Sequence, residues 1–174
     1  MMRKVRYSVA ASLDGFIAGP GGEYDWIPEE PEIDFKAFLS QIDAIVMGRR
    51  TLETVQGGGG LASLPDVPLY VFSTTLEPSD VPGATVIGDE APAFVRDLKG
   101  QEGKDIWLFG GGALFGSLLE GGVVDLVEVA IVPVMLGEGI PLLPKSRRTT
   151  LALERTEAFT SGIVLNRYRV EPPS

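Results

Sequence analysis

Short apolar segments recur along the first two-thirds of the chain, and glycine, proline or polar residues follow each of them. Such runs are typical of strands that are buried on both faces of a sheet. The predicted strands cover residues 7–11 (YSVAA), 44–47 (AIVM), 69–72 (LYVF), 85–87 (TVI) and 106–109 (IWLF). Because these segments are short and bounded by turn-forming residues, the pattern favours strands over buried helices.

Helical periodicity appears between the apolar segments. Phe35, Phe38, Leu39 and Ile42 are spaced i, i+3, i+4 and i+7, which is one face of a helix, and Pro31 suits its first turn. Further predicted helices cover residues 92–98 and 113–119, and a shorter one lies within residues 48–55. Residues 12–26 and 56–68 contain many glycine and proline residues and are predicted to be loops.

The C-terminal third has a different pattern. Residues 123–134 form a β-branched run, and residues 151–159 and 162–170 alternate partly on either side of a Thr-Ser dipeptide, as in an antiparallel hairpin. Strand–helix units followed by strands predict a single α/β domain over residues 1–174. We expect its sheet to be parallel over much of its width and antiparallel at the C-terminal edge.

Composition excludes several kinds of chemistry. The chain contains no cysteine and no histidine, so disulfides, cysteine nucleophiles, serine–histidine–acid triads and His- or Cys-ligated metal sites are excluded. We expect no metal site. The net charge of −9 argues against nucleic acid or anionic membranes as partners. Without a membrane-spanning apolar run or a signal peptide, the sequence favours a cytoplasmic location.

Anion-binding groups follow three of the predicted strands. Arg49 and Arg50 offer planar forks that suit phosphate, although this segment taken alone favours two ordinary surface arginines. Ser73 and Thr74 can bind a phosphate or ribose, or only form a turn. Gly110–Gly112 precede a helix N-terminus, which favours an anion, unless they serve only a tight turn. Together these strand ends predict a dinucleotide site, and the arginine pair favours the 2′-phosphate of NADP.

Several motifs resemble the dihydrofolate reductase superfamily. They are VAASLDGFIA, DAIVMGRRTLE, LYVFSTT, IWLFGGGALFGSLLEGGVVD and VPVMLGEGIPLL, followed by the hairpin. SLDGFIA and PVMLGEGIPLL are typical of the branch that contains the reductase domain of the bifunctional riboflavin-biosynthesis deaminase–reductase. This resemblance implies a three-layer fold around a mostly parallel sheet of about eight strands. It also implies NADPH as the hydride donor and a homodimer.

The resemblance also implies where the cofactor binds. Ala10 and Ile17 would bracket the nicotinamide, residues 49–51 would hold the adenosine-side phosphates, residues 73–74 would lie near the 2′-phosphate, and residues 110–114 would pass the pyrophosphate. The full expected cofactor-binding set is Ala10, Ile17, Gly48, Arg49, Arg50, Thr51, Phe72, Ser73, Thr74, Phe109, Gly110, Gly111, Gly112, Ala113 and Leu114.

The group that assists protonation is left open by the sequence. Dihydrofolate reductases use one carboxylate early in the first helix, and Glu32 and Asp34 both fit that place. An acidic first turn that complements the helix dipole explains both residues without any catalysis. Trp26 either lies in the substrate cleft or anchors a loop.

The sequence also departs from its relatives. Leu52 stands where true dihydrofolate reductases usually have tryptophan, and no HxE or CxxC motif of a zinc deaminase is present. We therefore expect an NADPH-dependent reductase acting on a pyrimidine- or pterin-like substrate, most like 5-amino-6-(5-phosphoribosylamino)uracil reductase. The alternatives are dihydrofolate reductase activity, a non-catalytic NADPH-binding protein, and an interaction module whose glycines are only structural.

Overall fold

Strands form where the short apolar segments lie. The computed structural model describes residues 2–173, and its strands are β1 Val5–Ser12, β2 Phe16–Ala18, β3 Ile42–Gly48, β4 Leu69–Phe72, β5 Thr85–Ile87, β6 Asp105–Gly110, β7 Leu126–Val132, β8 Ile140–Pro141, β9 Leu151–Ala158 and β10 Val164–Val170. The α-helices are α1 Phe35–Ser40, α2 Arg49–Gly58, α3 Ala91–Lys99 and α4 Gly112–Glu120.

One large sheet organises the domain. Eight strands lie in the order β5-β4-β3-β6-β1-β7-β10-β9. The strands from β5 to β7 in this order are paired in parallel, whereas β10 is antiparallel to both β7 and β9. This confirms the predicted mixed sheet with its antiparallel C-terminal hairpin. Because the parallel strands share one direction, the carboxyl ends of β3, β4 and β6 lie at the same edge.

Helices cover both faces of the sheet. Ala44 and Val46 of β3 pack in the core cluster that contains the buried side chains of α3 and α4. Ile45 and Met47, the alternate residues, pack in a second cluster that contains Leu52 of α2. Successive side chains of a strand point to opposite faces, so the central strands are buried on both sides. The continuous apolar runs in the sequence have this cause.

Helix α1 is shorter than the periodicity predicts. It begins at Phe35, after Asp34 as N-cap, and it ends at Ser40, before Gln41 as C-cap, so Pro31 does not open it. Ile42 is buried, but it is the first residue of β3 rather than part of the helical face. The helix and the strand follow each other without a loop, and the apolar spacing therefore continues across their boundary.

A second, two-stranded sheet joins one predicted loop to a segment after β7 for which the sequence predicts no element. Strand β2 lies within the predicted loop 12–26 and pairs antiparallel with β8. Nearby, the Asp14 carboxylate accepts hydrogen bonds from the Ser12 hydroxyl (2.6 Å) and the Gly137 N–H (2.8 Å). These bonds hold the pKa of Asp14 below its usual value. The carboxylate thus ties the loop after β1 to the loop before β8.

Helix α2 extends to Gly58, into the predicted flexible loop 56–68.

Among residues 2–173, no helix has the length and apolar character needed to cross a bilayer.

Candidate active site

A large cavity lies at the carboxyl ends of β3, β4 and β6 and continues along one face of β1, β7 and β10. Its volume is about 1630 Å³. Pockets for one small molecule usually measure about 300–1,000 Å³. The cavity therefore has room for a dinucleotide and a second molecule beside it.

Two helix N-termini meet at the cavity. Helix α2 follows Gly48 and helix α4 follows Gly111, and neither N-terminus is capped by a side chain. A Cβ added at Gly111 would lie 3.5 Å from the Gly48 backbone nitrogen, so the two N-termini are neighbours. Uncapped N–H groups and the positive ends of two helix dipoles attract anions. The arrangement suits a pyrophosphate.

The three glycines between β6 and the first turn of α4 each have a structural reason. Gly111 has φ +106°, a conformation that side-chain-bearing residues rarely adopt. A Cβ at Gly110 would lie 3.2 Å from Thr51 Cγ2, and one at Gly112 would lie 3.0 Å from the Pro141 carbonyl oxygen. The glycines therefore allow the backbone to pass close to other parts of the chain, whether or not a ligand is bound.

The polar strand ends have partners of their own as well as access to the cavity. Arg49 Nη1 donates to Glu53 Oε1 (3.0 Å) in an exposed i,i+4 pair. Ser73 Oγ accepts hydrogen bonds from the N–H groups of Thr75 and Leu76 (3.1 Å each) and so caps a turn. Arg50 is exposed and lines the cavity. Arg49 thus forms a surface ion pair and Ser73 caps a turn, as the ordinary interpretations of these motifs predict. Both residues nevertheless line a cavity large enough for a ligand.

Sequence reasoning missed a buried polar network on the cavity floor. Arg6 donates from Nε to Glu128 Oε1 (2.6 Å) and from Nη2 to Glu128 Oε2 (3.0 Å), which is a bidentate pair. Its Nη1 donates to Gln41 Oε1 (2.8 Å) and lies 3.4 Å from Asp105 Oδ2. The guanidinium also sits 4.8 Å from the ring centroid of Phe38. Arg6 therefore links β1, β6 and β7 to the end of α1.

The partners of Arg6 keep its guanidinium group positively charged. Burial alone would lower its pKa, but the hydrogen bonds and negative charges of Glu128 and Asp105 outweigh burial and raise the pKa above its ordinary value. The cavity as a whole is slightly basic, although the chain carries a net charge of −9. Its charged lining residues are Arg6, Arg49, Arg50, Arg155 and Arg167 with Glu32, Asp34, Glu128 and Glu157.

Comparison with known proteins identifies the family. A model of the RibD C-terminal domain matches residues 3–165. The chain belongs to the RibD C-terminal domain family. This assignment supports a reductase of the riboflavin-biosynthesis type, in agreement with the resemblance that the motifs indicate.

Individual relatives of this RibD-family chain span nearly all of it. It is 37% identical to the uncharacterized protein YyaP of Bacillus subtilis (strain 168), across 93% of this chain and 92% of YyaP. A putative riboflavin biosynthesis protein from Shewanella sp. PV-4 has the same fold, with a TM-score of 0.82, 25% identity, and coverage of 99% of this chain and all of that one.

More distant structures show the fold alone. The bifunctional diaminohydroxyphosphoribosylaminopyrimidine deaminase/5-amino-6-(5-phosphoribosylamino)uracil reductase of Thermotoga maritima matches at 17% identity and a TM-score of 0.71, over 97% of this chain and 57% of that one. A dihydrofolate reductase from Enterococcus faecalis complexed with NADP(H) matches at 17% identity and a TM-score of 0.67, over 97% of both chains. The RibD-family chain therefore has a dihydrofolate reductase-like fold.

Every residue of the expected cofactor-binding set lines the cavity of this RibD-family protein. Trp26, the expected substrate-binding residue, does not line it. The Trp26 side chain packs instead against the cluster of Val132, Phe159 and Ile163, and its indole Nε1 donates to the Glu23 carbonyl oxygen (3.0 Å). Trp26 thus anchors the loop before α1 against the C-terminal hairpin, which is the second of the two interpretations that the sequence left open.

The two candidate carboxylates have different surroundings. Asp34 is the N-cap of α1, and its Oδ1 accepts a hydrogen bond from the Ala37 N–H (2.8 Å). Glu32 lies two residues earlier, outside the helix, and accepts a hydrogen bond from the Thr160 hydroxyl. Both line the cavity. The dipole interpretation therefore applies to Asp34, whereas Glu32 lies outside the helix and is exposed in the cavity lining.

We expect Asp34 to act mainly as a helix cap. Replacing Asp34 with alanine should lower the free energy of unfolding by about 0.5–2 kcal/mol, because the Ala37 N–H loses its acceptor. Asparagine caps a helix nearly as well, so Asp34→Asn should unfold at the same urea concentration as the wild type. Loss of turnover in Asp34→Asn at unchanged stability would contradict this and assign the protonating carboxylate to Asp34.

Proposed function

We propose that this protein is an NADPH-dependent reductase that transfers hydride to a pyrimidine- or pterin-like ring, most like 5-amino-6-(5-phosphoribosylamino)uracil reductase. One observation carries the proposal. Arg49, Ser73 and Gly111 follow three different strands, and all three line one cavity. Had they lain on separate surfaces, the motifs would have had no common ligand.

The cavity suits an anionic dinucleotide. The paired N-termini of α2 and α4 would hold the pyrophosphate, and Arg50 would be free to meet the 2′-phosphate, since Arg49 is already bonded to Glu53. Bound NADPH supplies the hydride. The protein contributes binding, orientation and electrostatics. Ala10 and Ile17 give apolar lining at the expected nicotinamide end.

A second compartment of the cavity would take the substrate. Phe38 and Trp107 line this part, and their rings pack edge to face with centroids 5.0 Å apart. Flat aromatic walls favour a planar ring as the hydride acceptor. Glu32, which is exposed in the cavity lining, is the carboxylate that we propose to assist protonation of this ring. The homodimer and the cytoplasmic location rest on the family resemblance and the sequence, and both stay predictions.

Cofactor binding is tested by thermal unfolding. NADPH should raise the Tm, because a ligand that binds only the folded state stabilises it by RT ln(1 + [L]/Kd). NADH should bind at least tenfold more weakly. In Arg50→Gln this preference should fall several-fold, because the bidentate contact to the 2′-phosphate is lost. Arg148→Gln is the control, since Arg148 is exposed and does not line the cavity. Equal shifts by NADPH and NADH would contradict the role given to Arg50.

Turnover is tested by loss of nicotinamide absorbance. The phosphoribosylaminouracil substrate should be reduced faster than dihydrofolate. Reduction of dihydrofolate alone would favour the dihydrofolate reductase alternative. Binding of NADPH without turnover of either compound would favour a non-catalytic nucleotide-binding protein, and no binding at all would exclude the proposal.

A further inference from the structure

Two buried polar atoms on the cavity floor have no hydrogen-bond partner. Among the side chains of residues 2–173, the buried nitrogen and oxygen atoms in this condition are Ser8 Oγ and Arg167 Nε. Arg167 Nε is 3.3 Å from Glu154 Oε2 but is not aligned for a hydrogen bond. Unpaired buried polar atoms are uncommon in native proteins and call for an explanation.

The two residues that carry these atoms flank the same glutamate. Ser8 of β1 is in register with Glu128 of β7, and Glu128 is in register with Arg167 of β10. Side chains in register on neighbouring strands share one face of the sheet, and all three of these residues line the cavity. They form a transverse row, Ser8–Glu128–Arg167, across the substrate compartment.

Glu128 still has capacity to accept hydrogen bonds. Each of its oxygens accepts one bond from Arg6, whereas a carboxylate offers about four acceptor positions. Arg6 itself is occupied by Glu128 and Gln41. Arg6 is therefore a positioning residue that fixes the Glu128 carboxylate, and the row brings together a hydroxyl, a carboxylate and a guanidinium on three residues that line the cavity.

We propose that the row Ser8–Glu128–Arg167 forms hydrogen bonds with the edge of a cyclic imide, in which one ring N–H lies between two carbonyl groups. Glu128 accepts the ring N–H, and Ser8 and Arg167 each donate to a carbonyl oxygen. The orphaned atoms on both sides of Glu128 carry this inference, because the ligand edge satisfies both at once. It deepens the proposed function, on which it rests, by naming the feature of the substrate ring that is recognised.

Two isomeric probes test the inference without any cofactor. 1-Methyluracil keeps the imide N–H, whereas 3-methyluracil has a methyl group in its place. Titration followed by NMR of the ligand should show at least tenfold tighter binding of 1-methyluracil to the full chain, since 3-methyluracil loses one hydrogen bond to a charged group and clashes with Glu128. Equal binding of the isomers, or no binding of either at millimolar concentration, would overturn the inference.

Variants of the row provide the second test. Ser8→Ala removes a hydroxyl that has no partner, so its Tm should not fall, while its affinity for 1-methyluracil should drop roughly two- to tenfold. Arg167→Gln should weaken the same binding. Arg169→Gln is the matched control, because Arg169 lies on the same strand, pairs with Glu154 and Glu171, and does not line the cavity. Wild-type affinity in both row variants would overturn the inference.

The outcomes separate this inference from the proposed function. If the protein binds 1-methyluracil more tightly than 3-methyluracil but NADPH does not raise its Tm, imide recognition by the row is supported and the NADPH-dependent reductase is excluded. If NADPH raises the Tm but the two isomers bind equally, the proposed reductase is supported and imide recognition by the row is excluded.

Discussion

Replacing Arg6 with methionine is expected to lower the free energy of unfolding by about 3–5 kcal/mol, because it leaves the buried Glu128 carboxylate without its bidentate partner. Gln41 at the end of α1 loses its partner as well. For a domain of this size the Tm should fall by roughly 6–20 °C. Urea and thermal unfolding measure the change.

Two further variants show whether burial causes this effect. Arg6→Met combined with Glu128→Leu removes both charges and should recover most of the loss, since a buried ion pair is often replaceable by apolar residues. Arg155→Met breaks an exposed ion pair, in which the side chains of Arg155 and Glu157 are 69% and 40% exposed. This variant should lower the free energy of unfolding by about 1 kcal/mol or less. Equal losses in Arg6→Met and Arg155→Met would contradict the structural role of Arg6.

Most of the fold is predictable from the sequence because the parallel strands are buried on both faces. Their apolar runs are continuous and their ends are marked by turn residues, as at residues 44–47. Boundaries were less predictable. Ile42 continues the helical spacing of α1 although it belongs to β3, and periodicity cannot separate two elements that meet without a loop. The pairing of β2 with β8 depends on contacts between distant segments, which local patterns do not encode.

The site divides in the same way. Residues at strand ends could be predicted, because parallel strands end at one edge of a sheet and bring Arg49, Ser73 and Gly111 together. The floor of the cavity was missed. Arg6 and Glu128 lie inside strands, where a charged side chain is ordinarily attributed to an exposed face. The available signal was a charge of each sign within two otherwise uncharged strands, and such charges are rarely buried unless they are paired.

Replacing Gly111 with alanine is expected to raise the Kd for NADPH by about 100-fold, if the proposed function is right. Gly111 has φ +106° and ψ 99°, and holding another residue in such a conformation costs about 1–3 kcal/mol. The added Cβ would also lie 3.5 Å from the Gly48 nitrogen and 3.6 Å from Leu114 Cβ, between the two helix N-termini. The strain is relieved by shifting the start of α4, which moves the N–H groups away from the pyrophosphate.

Calorimetric titration with NADPH measures this effect, and Gly57→Ala is its control. Gly57 lies inside α2, has an ordinary helical φ and has nothing within 4 Å of an added Cβ. Alanine there should stabilise the protein by about 0.5–1 kcal/mol and leave NADPH affinity unchanged. If Gly111→Ala binds NADPH as tightly as Gly57→Ala does, the paired N-termini of α2 and α4 do not hold the cofactor. In that case the phosphate contacts must come from side chains of the lining, such as Arg50 and Ser73.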